Sequence, residues 1–125
     1  MPTNDHRMKS YPCAYRERRM VRIDLDNAPH AWAVEGNCVL DMDEFDEIIG
    51  VEIIGLQEAV GAKIKIVEHL VGEPRVDEPR IAYDSDHDIL YVTIESKRAP
   101  SQQNGIVEMR VDQNRLVRLT ATLAD

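Results

Sequence analysis

Apolar and polar residues alternate at intervals of two through most of this chain. Val21, Ile23 and Leu25 are separated by Arg22 and Asp24, and Val107, Met109 and Val111 by Glu108 and Arg110. Cys38, Leu40 and Met42 keep the same rhythm, as do Val117, Leu119, Ala121 and Leu123. Successive side chains of a strand point to opposite faces, so each segment predicts a strand with one dry face and one wet face in an antiparallel sheet. The first strand is expected at 20–25, followed by turn chemistry at Asp26-Asn27-Ala28-Pro29. Residues 30–34 read as a short strand edge or a lid, and Gly36-Asn37 as a turn into a strand at 38–43. Glu44-Phe45-Asp46-Glu47 then connects a hairpin to a strand at 48–54. Further on, strands are expected at 80–84 and 89–95 around a Ser85-Asp86-His87 turn, then a polar loop at 96–104. Two last strands flank Gln113-Asn114.

Between them the period changes. Leu56, Ala59, Val60, Ile64, Val67, Leu70 and Val71 recur at threes and fours, which predicts a helix over 56–71 closed by Gly72. Lys63-Ile64-Lys65-Ile66-Val67 also fits a strand. Two prolines and no periodicity mark 73–79 as a linker, and 1–12 as a tail.

The two sides of that linker resemble each other. A shift of 69 positions lays Gly105 on Gly36, Asp112 on Asp43, and Leu90, Val92 and Ile94 on Val21, Ile23 and Leu25. Skipping one residue at Phe45 then brings Val117, Leu119 and Ala121 onto Ile49, Val51 and Ile53. A slip of one residue would turn a strand's whole apolar set to the other face, so the shared phase matters more than the few identities. The expected fold is β-rich α+β, with two pseudo-symmetric antiparallel four-stranded repeats and one helix after the first. The first repeat with its helix covers 13–72 and the second covers 80–125, around one shared core. A single helix must then serve both sheets, or the sheets pack on each other, or a second chain completes the core; an unpaired edge strand favours the last, and a homodimer is expected.

The chain has 125 residues, enough for one self-supporting domain. No apolar run approaches the roughly 18 residues that cross a membrane, and the polar N-terminus lacks a signal peptide, so the cytoplasm is the expected location. The net charge is −8, and no Lys or Arg occurs from Ile23 to Ala62, where acidic residues accumulate. Such a balance disfavours direct nucleic-acid binding, which needs phosphate neutralisation, and favours a basic protein partner, a cation or plain solubility.

At Tyr83-Asp84-Ser85-Asp86-His87-Asp88-Ile89-Leu90-Tyr91 the chain resembles the opening hairpin, Y-D-x-x-x-D-x-L-Y, of a small bacterial family, the domain of unknown function 2283. That family's later signature, an aspartate-rich turn and a V-G-I-E-I-L-like strand, resembles Val39-Leu40-Asp41-Met42-Asp43 and Ile49-Gly50-Val51-Glu52-Ile53-Ile54. The first half has Tyr15-Arg16 and Arg19-Met20-Val21-Arg22 where the opening motif belongs. The second has Val117-Arg118-Leu119-Thr120-Ala121 where the glycine and glutamate belong. Each half therefore keeps what the other has lost, which implies two diverged, fused copies. The resemblance implies the fold and leaves activity open; an antitoxin-like partner role is its one functional hint.

Candidate chemistry follows from these segments. Asp41, Asp43, Asp46 and Glu47, with Trp32 and Phe45, are the expected partner-binding set of a non-enzymatic interaction module. The alternative is a small-molecule binder or modest enzyme with a pocket between the repeats, using His30, His69, His87, Asp84 and Glu52 as acid/base groups. Asp84, Asp86 and Asp88 have alternate spacing that suits a hard cation, but Ile89 stands where a calcium loop needs glycine. Capping of the hairpin turn by Asp84 and Asp88 is the better account, and no metal or other cofactor is expected. Cys38 falls on the dry face, where a thiol is inert. Tyr83 and Tyr91 are placed to meet as a cross-strand pair.

Overall fold

The computed structural model describes residues 12–27, 31–61 and 79–124. Within them lie strands β1 (Cys13–Arg16), β2 (Met20–Asp24), β3 (Trp32–Met42) and β4 (Ile48–Ile54), then helix α1 (Leu56–Val60). β5 (Arg80–Asp84), β6 (Ile89–Thr93), β7 (Ser101–Asp112) and β8 (Arg115–Leu123) follow. The eight strands make one antiparallel sheet in the order β1-β2-β8-β7-β3-β4-β6-β5. β1 and β5 are its edges.

Alternation decides the dry face of each strand, and register lets the strands share it. Val21 stands opposite Ala121 and Ile23 opposite Leu119 in the β2·β8 ladder. Ile53 stands opposite Leu90 and Val51 opposite Val92 in the β4·β6 ladder. These side chains join Cys38, Leu40, Met42, Val107, Met109 and Val111 in one buried cluster, as their alternation predicts. Full burial of each large aliphatic is worth roughly 1.5–3 kcal/mol, so this face supplies most of the driving force for folding. Bulges interrupt β3·β4 between Asp41 and Met42, and β7·β8 between Arg110 and Val111. Bulges sharpen twist, and the sheet curls. Arg16 on edge strand β1 thereby donates to the Ile48 carbonyl of β4 at 3.1 Å.

The structure departs from the sequence expectations at several points. Gly36 and Asn37 form no turn. β3 runs straight through them because β7 pairs with its whole length, from Trp32 opposite Val111 to Met42 opposite Ser101. The same ladder draws 101–104, expected as loop, into β7. Glycine there serves close packing: a Cβ on Gly105 would lie 2.7 Å from Leu40 Cδ1 and 3.0 Å from Cys38 Sγ. The short strand β1 precedes the first strand that alternation reveals, and Pro12, placed in the tail, is buried. The helix that opens at Leu56 ends at Gly61, whose φ of 78° is the left-handed cap a glycine supplies. The rest of the expected helix, the Lys63–Val67 alternative and most of the linker lie outside the described residues. No helix among the described residues is long and apolar enough to cross a membrane.

Tyr83 and Tyr91 do not meet. Tyr83 pairs with Leu90 and packs on the core, whereas Tyr91 pairs with Ala82 and Glu52 on the opposite face. The Asp84·Ile89 closing pair sets this phase.

Candidate functional site

The β3–β4 turn is organised by one side chain. Asp43 is buried, and its Oδ1 accepts the backbone N–H groups of Phe45 at 2.8 Å and Glu47 at 2.9 Å. Its Oδ2 accepts from Lys97 Nζ at 2.9 Å. The Glu47 N–H bond above all, helped by Lys97, holds the Asp43 carboxyl below the usual range. The turn also places Asp46 at φ 62°, a region aspartate tolerates better than most residues. With the backbone fixed inside, Glu44, Phe45, Asp46 and Glu47 all face solvent, and Phe45 is 71% exposed.

A polar network supports this tip from behind. Lys97 reaches Glu95 at 3.1 Å, and Glu95 accepts from Arg16 at 2.5 Å. Lys97 first and Arg16 second lower the Glu95 carboxyl, while Asp43 and Glu95 raise Lys97. Lys97 Nζ lies 5.9 Å from the centroid of the Phe45 ring, within cation–π range. Beside the tip runs a groove of about 280 Å³ lined by Asp43, Glu44, Lys97, Arg98 and Pro100.

The expected partner-binding set divides here. Phe45, Asp46 and Glu47 are together and exposed. Asp43 shares their turn but is spent on the backbone and Lys97. Asp41 lies on the wet face of β3, where it accepts from Gln102 at 2.8 Å. Trp32 stands at the other end of the 11-residue strand β3, opposite Val111, roughly 33 Å from the tip at 3.3 Å per residue. The acidic run is also less bare than its sequence suggests, because cations arrive from elsewhere. Arg118 Nε lies 2.7 Å from buried Asp24, and Arg115 pairs with Asp26. Arg16, Glu95 and Lys97 were missed as members of the site, since nothing local ties residues so far apart in the chain to one turn.

The second candidate set converges only in part. Asp84 accepts the backbone N–H groups of Asp86 at 3.0 Å and His87 at 3.3 Å, so it caps the turn as expected. Its Oδ2 is 2.8 Å from His87 Nδ1, and this bond is the main cause of its lowered carboxyl pKa. Asp88 caps something else. Its carboxylate accepts the Gln57 N–H at 2.9 Å, and its carbonyl the Gly55 N–H at 2.8 Å, so it anchors the start of α1. Tyr83 donates to Asp88 at 2.6 Å and accepts from Gln57 Nε2 at 3.0 Å; burial first, then Asp88, pushes its hydroxyl pKa up. Asp84 and His87 thus form a surface pair at the β5–β6 turn. Glu52 sits on the wet face opposite Val39 and Tyr91. His30 and His69 lie outside the described residues.

The β3·β7 seam itself is packed with Cys38, Leu40, Val107 and Met109. A second, open groove of about 640 Å³, lined by Val39, Gln102, Gln103, Asn104 and Ala124, contains none of the expected acid/base groups. Among the described residues no group of three or more His, Cys, Asp or Glu side chains is arranged to hold a metal. Both cysteines are free thiols, and burial pushes Cys38 up to about 11.

Comparison with protein-family models, curated proteins and solved structures finds no match for this chain.

Proposed function

We propose that the protein is a non-enzymatic interaction module that takes a basic protein segment at the β3–β4 tip. The observation that carries this reading is Phe45, 71% exposed and ringed by Glu44, Asp46 and Glu47 on a turn tied down from inside by Asp43. An aromatic side chain on a preorganised turn loses little entropy on binding, and flanking carboxylates select and steer a cationic partner. Titration calorimetry with a lysine-rich peptide tests it. Binding should weaken about tenfold on Phe45→Ala and weaken steeply with salt, whose screening length is about 10 Å at 0.1 M. Affinity unchanged by Phe45→Ala and by the triple variant Glu44→Gln/Asp46→Asn/Glu47→Gln would refute the proposal.

We also infer that the chain is two diverged copies of one four-stranded unit, related by a pseudo-twofold axis. The 69-residue shift, with one residue skipped at Phe45, supports this because it carries the β2·β8 pairs onto β4·β6 and the β3·β4 pairs onto β7·β8, while β1·β2 falls on β5·β6 two residues out of register. Val21·Ala121 goes to Ile53·Leu90, and Ile23·Leu119 to Val51·Val92. The Asp41/Met42 bulge goes to Arg110/Val111. Bonds outside the ladders follow: Leu25 N–H to the Val117 carbonyl and Ile94 N–H to the Ile49 carbonyl are both 2.9 Å. Asn37 and Ile106, which the shift equates, are paired with each other. The likeness to the domain of unknown function 2283 stays part of this proposal, resting on the hairpin and turn motifs.

A further inference from the structure

Three of the seven ladders, β3·β7, β2·β8 and β4·β6, join residues 12–61 to residues 79–124. Each half is a pair of hairpins that do not touch as neighbours in the sheet. β1-β2 and β3-β4 are held apart by β8-β7, and β7-β8 and β5-β6 by β3-β4. Neither half can therefore make a continuous sheet or cover its dry face alone. Each is completed only by the other. The chain crosses from one half to the other once, through residues 62–78.

We infer that a second copy of this chain can supply either half, giving a strand-exchanged dimer. Residues 12–61 of one copy and 79–124 of the other would complete the same eight-stranded sheet, twice. Every ladder and every buried pair recurs in such a dimer, from Val21·Ala121 to Gly105·Cys38. Among the described residues the only difference is which copy owns each half. With these contacts conserved, the balance rests on effective concentration, on the order of mM where a short stretch of chain joins two units that bind each other. The closed monomer therefore prevails in dilute solution, and exchange sets in when chains fold together near that concentration. The inference rests on pairing alone and not on the acidic tip.

Complementation between two full-length variants tests it. Leu40→Asp spoils the first half and Met109→Asp the second, each placing a carboxylate on a fully buried position. Refolded separately, each should lose the strand circular dichroism of the wild type. Refolded together at about 1 mM, they should recover about half of it, in a species of twice the 14.3 kDa chain mass with one sound lobe. A mixture equal to the sum of the separate variants overturns the inference. A parallel measurement does not depend on how the variants fold: isotopically heavy and light wild-type chains, unfolded and refolded together, should give native heavy–light dimers by mass spectrometry. Single-chain species alone at that concentration overturn it equally.

Discussion

The Asp88 carboxylate accepts the Gln57 backbone N–H at 2.9 Å, across 31 residues of chain, and so caps a helix whose own N-cap, Gly55, offers no side chain. Local sequence pointed to a turn cap, whereas the carboxylate does its work on a neighbouring element. Loss of such a cap costs about 0.5–2 kcal/mol, and the half-buried Tyr83 hydroxyl would lose its acceptor as well. Asp88→Ala should therefore lower stability by about 1–3 kcal/mol in urea unfolding. Asp88→Asn should cost less, because Asn keeps an acceptor and tolerates the φ of 55° at this position.

Acid should unfold the protein through its capped carboxylates. Asp43, Asp84 and Glu95 all have lowered pKa values in the folded state. The unfolded chain then takes up protons first as pH falls. Their stabilising effect is complete above the unfolded values, 3.8 for Asp and 4.5 for Glu, and is lost as pH drops through the lower folded ones. Tm should be flat around neutrality and fall from about pH 5 to pH 2. The fall should be shallower in Asp43→Asn, as read by a pH series of thermal melts.

Close packing at the seam makes Gly105 and Gly36 unequal. A Cβ on Gly105 would lie 2.7 Å from Leu40 Cδ1 and 2.9 Å from the Thr122 carbonyl oxygen, and the backbone oxygen cannot move cheaply. On Gly36 the nearest atom is the flexible Met109 Cε at 3.1 Å. Gly105→Ala should cost about 1–3 kcal/mol and Gly36→Ala less, measured by chemical denaturation.

The thiols should differ in reactivity. Cys38 is buried with its pKa pushed up to about 11, so it has little thiolate at neutral pH and no access. Titration of native protein with a thiol-specific chromophore at pH 8 should leave Cys38 unmodified. Cys13, half-buried on edge strand β1, should react first, and Cys38 only on unfolding.

Much of this fold was legible in residue order. The alternation of Val107, Met109 and Val111 gave the dry face correctly, as did that of Cys38, Leu40 and Met42. Gly36-Asn37 misled because glycine and asparagine favour turns locally, and only a partner strand as long as β7 overrides that preference. The tyrosine pair misled because a strand's phase depends on where its turn closes. Of the candidate site, Phe45, Asp46 and Glu47 were legible as an exposed acidic turn. Its support by Arg16, Glu95 and Lys97 was not, since ion pairs between distant segments leave no local pattern. Trp32 was grouped with Phe45 because both are aromatic residues of the acidic first half, and the unbroken β3 separates them.

The interlocking of the two halves is most directly measured at the seam, by cross-strand nuclear Overhauser contacts in isotopically labelled protein. Asn37 should show backbone contacts to Ile106, with Gly36 to Val107 and Cys38 to Gly105 on either side. Long-range strand contacts confined within residues 12–61 and within residues 79–124 would contradict the account.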